Sequence, residues 1–290
     1  MSSTSYPQLI FGTASFGDAF REPQDVQSVL DLLRTHHIMR LDTAARYPPT
    51  KHGRSEELLG EVNAAQQGFT LDTKILATAP DPSGEMTREK IEESVSASLH
   101  RLRTDKLGIS NFKPEILAAY LAVCDEHDYI KPSVYQGNYS MINRGAEKHI
   151  FPILRKHGIA FSAYGSLAAG FLSGSVTSGS KEGTRFGGDG YMSQYFHRVY
   201  DHEPLHNAQR KLATSADELG ITPIEAALRW VMYHSALQEG DGIILGASRK
   251  SQVMTNIKSI SNGPLPNKIV ADIQAVWDEL RTEREDNYIF

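Results

Sequence analysis

The chain holds a single cysteine, Cys124, among 290 residues. One thiol cannot form an intrachain disulfide, and a reducing compartment fits that scarcity. Leu121, Ala122 and Val123 place Cys124 in a helix interior, which reads as a buried, inert thiol. No apolar run approaches the ~20 residues that span a bilayer. The start, MSSTSYPQLIFG, lacks a basic region followed by an apolar core and a small-residue cleavage site. The expectation is a cytoplasmic protein with no membrane partner. Charge of one sign is not clustered: 30 Lys and Arg against 35 Asp and Glu leave a net charge of −5. That balance argues against nucleic acid as a partner, although one small phosphate needs only one or two cations. No Gly-x-Gly-x-x-Gly follows an early strand, which weakens a doubly wound dinucleotide fold. There is no internal repeat, no low-complexity tract and no metal-ligand set to assign.

What is present is ordinary for a globular chain: 40% apolar, 22% charged and 9% aromatic residues, enough for a sizeable core. Short apolar runs alternate with helical patterns. The runs are Leu9 to Gly12, the stretch through Ile38, Met39 and Leu41 into Asp42, Phe69 to Ile75, Lys106 to Ser110, Val134 to Gly137, Ile159 to Tyr164, and Ile243 to Gly246. Helices are predicted over Asp25 to His36, from about Ser55 with that serine as N-cap, from Thr87 with Ile91, Val95 and Leu99 inward, after Pro114, over Ala146 to Lys156, and through Val253, Met254 and Ile257. Trp230 and Trp277 are assigned to helix packing. Residues 165 to about 203 read as one long irregular segment whose aromatics (Phe186, Tyr191, Tyr195, Phe196, Tyr200) pack over something.

Strands alternating with helices argue for a parallel α/β architecture. Polar residues gather after strand ends along the whole chain: Asp42, Lys74, Ser110-Asn111, Gln136 and Tyr164. In a TIM-type (β/α)8 barrel such positions meet at one face, so a single barrel domain over residues 1–290 is expected. At that mouth Asp42, Tyr47 and Lys74 would converge. A lysine ammonium favours phenolate and lowers the phenol pKa from its free value near ~10, and an aspartate fixes the lysine. The set then makes a tuned proton donor. A structural ion pair with an unrelated surface tyrosine fits the same spacing.

The stretches LDTAARY, GISNF, VYQGNYS, AYGSLAAGFLSG, AALRWVMYHS and ILGASRKSQVMTNIK, with the tail DNYIF, follow one another along nearly the full length. In that order the chain resembles the aldo-keto reductases, in particular the aflatoxin aldehyde reductase branch. The resemblance implies a (β/α)8 barrel that binds NADPH at its C-terminal face and reduces a small-molecule aldehyde or ketone, as a monomer or homodimer. It implies Tyr47 as proton donor with Lys74 and Asp42, and Ser110, Asn111 and Gln136 on the nicotinamide carboxamide. Tyr164 would stack on the nicotinamide. Ser166, Leu167 and Gly170 would wrap the pyrophosphate, and Ser248, Arg249, Gln252 and Asn256 would take the 2′-phosphate. An NADPH-binding regulatory or inactive protein of the same family is the alternative.

One departure stands out. Between Arg103-Thr104-Asp105 and Lys106-Leu107-Gly108 the family inserts a strand, its catalytic histidine and a helix, and here that unit of roughly 30 residues is absent. The sheet is then expected to close as seven strands, to remain open, or to be covered by a partner; a mis-spliced or wrongly predicted gene model would leave the same clean edges. No histidine stands in the expected context. His100 lies ahead of the gap, and His52, His197 and His202 are the remaining candidates. Arg185 and Arg198 are candidate partners for a substrate carboxylate.

Overall fold

A computed structural model of the chain describes residues 6–74, 87–103, 109–110, 114–127, 131–182 and 184–286. The strands are β1 (Gln8–Gly12), β2 (Arg40–Asp42), β3 (Thr70–Asp72), β4 (Ile109–Ser110), β5 (Val134–Asn138), β6 (Ala160–Tyr164) and β7 (Gly242–Gly246). They form one sheet in the order β3-β2-β1-β7-β6-β5-β4, with every pairing parallel. Parallel strands buried on both faces read as apolar runs, and Gly-Ile-Ile-Leu-Gly of β7 is buried up to its last residue.

The sheet curls. In the strand order β1, β7 and β6 lie between β2 and β5, so in a flat sheet these two would stand ~19 Å apart at ~4.8 Å per strand. That is far beyond the reach of two short side chains. Yet Gln136 on β5 hydrogen-bonds Asp42 on β2 at 2.5 Å. The C-terminal ends of the strands therefore face one another across a barrel-like interior. β3 and β4 stand at the two ends of the order, and among the described residues they are not paired.

Helices lie outside this sheet. In α1 (Pro23–Thr35) Val26, Val29, Leu30 and Leu33 recur at helical spacing and are all fully buried, each contributing roughly 1.5–3 kcal/mol. Thr87 caps α3 (Arg88–Leu102) by accepting from the Lys90 amide. The inner face of α3 is rotated from the expected one: Ile91, Val95 and Leu99 are half-buried, whereas Ser98 and Leu102 are buried. The cause is its close approach to α2 (Arg54–Glu61), where a Cβ on Gly60 would come within 1.9 Å of the Arg101 carbonyl. Pro114 opens α4 (Pro114–His127), and Cys124 is buried on it.

Three expectations are corrected. Ser55 does not cap α2; Gly53, at φ 82, holds that position, and the Ser55 side chain turns inward. The helix over Ala146 to Lys156 is two, α5 (Ala146–His149) and α6 (Phe151–His157), broken at Ile150 ahead of Pro152. The segment from 165 to 203 is irregular only in part, its residues 174–182 and 184–190 running through turns and bends. It contains a 3-10 helix (Ala168–Ser173) and α7 (Tyr191–Tyr200), and Phe186, Phe196 and Tyr200 belong to the core.

Four more helices, α8 (Glu203–Asp217), α9 (Pro223–Tyr233), α10 (Lys250–Ser261) and α11 (Asn267–Arg284), complete the described layer. Trp230 and Trp277 are buried, with the Arg144 guanidinium over both rings at 5.2 and 5.4 Å. No helix among the described residues is long and apolar enough to cross a membrane.

Candidate active site

Asp42 is the last residue of β2, where the strand delivers it to the mouth with only 3% of its surface exposed. Lys74, just beyond β3, donates to Asp42 Oδ1 at 2.7 Å and to the Thr43 carbonyl at 2.6 Å. Gln136 Nε2 donates to the same Oδ1. Tyr47 follows a turn closed by its amide on the Ala44 carbonyl at 2.9 Å, and Lys74 Nζ lies 5.2 Å from the centre of its ring. Asp42, Tyr47 and Lys74 are therefore brought together, as their spacing suggested.

Burial pushes the Asp42 carboxyl above its ordinary value, against the Lys74 charge and the hydrogen bonds from Lys74 and Gln136 that pull it down. Burial also opposes the Lys74 ammonium, but Asp42 and Tyr47 hold its pKa above the usual lysine value. For Tyr47 the sequence expectation is reversed in sign. Burial outweighs Lys74 and Arg185, which lower the phenol pKa, and with Asp42 leaves it raised. The phenol is thus fully protonated at neutral pH, and both cations stand ready to favour the phenolate once the proton has left.

Tyr164, the last residue of β6, is half-buried and close enough to Tyr47 for the two phenols to interact. Arg185 reaches the same space: its Nη2 would lie 4.0 Å from a Cβ on Gly246, the last residue of β7. Ser110 ends β4 in register with Gln136, and Asn111 lies outside the described residues. Gln136 is engaged with Asp42, a contact that spacing did not suggest.

Beyond Tyr164 the chain turns at Gly165 (φ +76), where a Cβ would come within 2.6 Å of Asn138 Oδ1. Ser166 is buried, and its hydroxyl has no hydrogen-bond partner among the described residues. Leu167 precedes a run of left-handed residues, Ala168 (φ 49), Ala169 (φ 58) and Gly170 (φ 100). For two alanines this conformation costs of order 1–3 kcal/mol each, a strain that clusters at ligand sites. Gly170 faces open space.

At the start of α10 the Gln252 side chain accepts from Ser248 N at 2.9 Å, Ser248 Oγ at 3.1 Å and Arg249 N at 3.2 Å. Arg249 is exposed and forms no ion pair among the described residues. Asn256, one turn beyond Gln252, is buried.

The candidate histidines lie elsewhere. His52 and His100 are exposed. His197 is committed to Asp201 at 2.6 Å and to the Phe186 carbonyl at 2.8 Å, and His202 to the Arg198 carbonyl. Arg198 lies over the Tyr195 ring at 5.3 Å. Among the described residues no cluster of His, Cys, Asp and Glu is set to hold a metal ion.

The sequence matches the model of the Aldo/keto reductase family over residues 8–109 and 106–278. It is 32% identical to human aldo-keto reductase family 7 member A3 over 329 aligned positions, which cover 99% of this chain and 98% of that one. It is 27% identical to human aflatoxin B1 aldehyde reductase member 2, with 92% of this chain and 86% of the relative covered. To oxidoreductase sirO of Leptosphaeria maculans it is 28% identical over 339 positions, 98% of each.

Proposed function

The chain belongs to the aldo/keto reductase family, and from that premise we propose that it is an NADPH-dependent reductase of aldehydes or ketones with Tyr47 as proton donor. The observation that carries this reading is the Lys74 ammonium held between Asp42 and the Thr43 carbonyl beside the Tyr47 phenol. When bound, NADPH supplies the hydride that reduces the carbonyl carbon. Tyr47 holds the proton for the carbonyl oxygen, Lys74 stabilises the phenolate left behind, and Asp42 keeps Lys74 in place.

The residues present fit an anionic dinucleotide. Among the described residues, the buried Ser166 hydroxyl has no partner and the Arg249 cation beside the N-terminus of α10 has no counter-ion. Ser166, Leu167 and Gly170 would hold the pyrophosphate, and Ser248, Arg249, Gln252 and Asn256 the 2′-phosphate. Ser110, Asn111 and Gln136 would hold the carboxamide against Tyr164. Arg185 beside Tyr47 favours a carbonyl substrate that also carries a carboxylate.

The barrel is read as lacking one strand-helix unit, in one domain, as a monomer or homodimer in the cytoplasm. Supporting this, β3 and β4 end the strand order, and the two matched segments meet at 106–109. The alignments of 329 and 339 positions are also longer than the chain itself.

The test follows NADPH absorbance over a panel of aldehydes for wild type and Tyr47→Phe; equal rates in the two proteins would sink the proposal. A second reading, cofactor binding without turnover, is favoured by one observation: no described histidine stands beside Tyr47. It predicts NADPH binding by fluorescence with no oxidation.

A further inference from the structure

We propose that Ser55, with its neighbour Glu56, is a positioning residue for Lys74 and Tyr47, an inference that rests on the reading of those side chains given above. Both residues lie in the first turn of α2 and are fully buried. Neither reaches the mouth. Ser55 Oγ lies 2.8 Å from Thr13 Oγ1 and 3.0 Å from Thr43 Oγ1, and Thr13 Oγ1 donates to the Asp42 carbonyl at 3.0 Å. All three side chains are sealed from water. Every hydroxyl proton has an acceptor when Thr43 donates to Ser55, Ser55 donates to Thr13 through its Oγ1 or its carbonyl at 3.1 Å, and Thr13 donates to the Asp42 carbonyl.

This relay fixes the backbone on both sides of the Asp42–Thr43 peptide. The Thr43 carbonyl is the second acceptor of the Lys74 ammonium. The Ser55 amide also donates to the Tyr47 carbonyl at 3.1 Å, so the same residue holds the turn that carries the phenol. Glu56 anchors the third part. Its Oε1 accepts from Thr73 Oγ1, adjacent to Lys74, at 2.5 Å, while Oε2 takes Arg101 Nε at 2.7 Å and Ser98 Oγ at 3.2 Å from α3.

A role in the helix alone does not account for this. Gly53 already occupies the cap position, so α2 does not need the Ser55 hydroxyl. Three buried hydroxyls where apolar side chains would pack are retained to specify one geometry. The geometry they specify is that of Asp42, Lys74 and Tyr47.

The experiment compares wild type, Ser55→Ala and Ser55→Cys; the cysteine leaves no cavity and weakens the hydrogen bonds should the alanine protein fail to fold. The Lys74 ammonium is followed by nitrogen-15 NMR, its signal identified by its absence in Lys74→Arg. Loss of the relay is expected to speed its proton exchange about tenfold or more, with amides of β6 unchanged. In the NADPH assay kcat is expected to fall about 10- to 100-fold with KM within about twofold, the signature of misplacement rather than lost binding. A Lys74 signal that exchanges as in wild type, or a uniform acceleration across the protein, overturns the proposal. Tyr47→Phe is assayed alongside. If it turns over at the wild-type rate, the reductase reading fails, and the Lys74 signal still decides the positioning role.

Discussion

Replacing Lys74 with methionine removes the cation from a carboxylate that is nearly sealed from solvent. Asp42 keeps Gln136 as a donor but loses the charge and hydrogen bond that pull its pKa down most strongly. Its folded pKa, already above the ordinary value, rises further. The sign follows from linkage: the folded state of the variant binds a proton that the unfolded chain, titrating near ~3.9, has released. Stability of the variant therefore falls as pH climbs from the unfolded value toward the folded one. The penalty is bounded by the work of protonating Asp42, ~1.4 kcal/mol for each pH unit above ~3.9, or about 1.5 kcal/mol at pH 5 and about 4 kcal/mol at pH 7. Wild type carries part of this already, and loss of the bond to the Thr43 carbonyl adds about 1 kcal/mol at any pH. The expected destabilisation is thus about 1–2 kcal/mol at pH 5 and about 3–4 kcal/mol at pH 7.5, read by urea unfolding. In the Asp42→Asn background the pH-dependent part should vanish. A loss of the same size at both pH values would refute the assignment of the cost to a stranded carboxylate.

Arg249→Ala is expected to weaken NADPH binding about 10- to 100-fold while leaving NADH binding nearly unchanged; fluorescence titration with both cofactors checks it, and an equal loss for both would exclude a 2′-phosphate contact. Asp201 accepts from Lys181, His197 and His206, and against the burial that raises it these hydrogen bonds hold its carboxyl well below the usual range. A depressed carboxylate contributes stability above its unfolded pKa and loses it as pH falls toward the folded value. Asp201→Asn should therefore cost about 1–2 kcal/mol at pH 7, with the gap to wild type narrowing below about pH 4 in denaturant titrations.

The parts of this molecule legible in the sequence are those written in local period. The apolar spacing of Val26, Val29, Leu30 and Leu33 located α1, and polar residues after apolar runs located the mouth. Tyr47 and Lys74 were placed because strand ends share one face. What stayed hidden depends on tertiary contacts. Ser55 looks like a cap, since serine before an apolar helix usually is one, and only the meeting of β1, β2 and α2 turns its hydroxyl inward. Gln136 lies too far along the chain for spacing to connect it with Asp42; the curl of the sheet makes that contact. Helix α7 did carry a signal, Ser193, Phe196 and Tyr200 all buried on one face, which the surrounding Gly and Ser residues masked. The sign of the Tyr47 shift is hidden from the sequence because burial is a property of the packed site, whereas Lys74 is visible in the spacing.

How the two wings of the sheet hold together follows from three contacts among the described residues. The ladder between β1 and β7 runs from the Gln8–Gly242 pair to the Gly12–Gly246 pair and joins the two wings. At the mouth, Gln136 and Asp42 bridge the wings through their side chains. On the outside, α10 contributes Val253 and Ile257 to the apolar cluster of the β1–β3 wing and Ile260 to that of the β5–β7 wing, so one helix is shared by both cores. That same helix begins at the residues read as the 2′-phosphate site, and Gln136 is read as a carboxamide ligand. A dinucleotide laid from one to the other would touch the two features that already join the wings. On the reading proposed above, cofactor binding and closure of the curled sheet would draw on the same residues, and the geometry of Asp42 and Lys74 would depend on both.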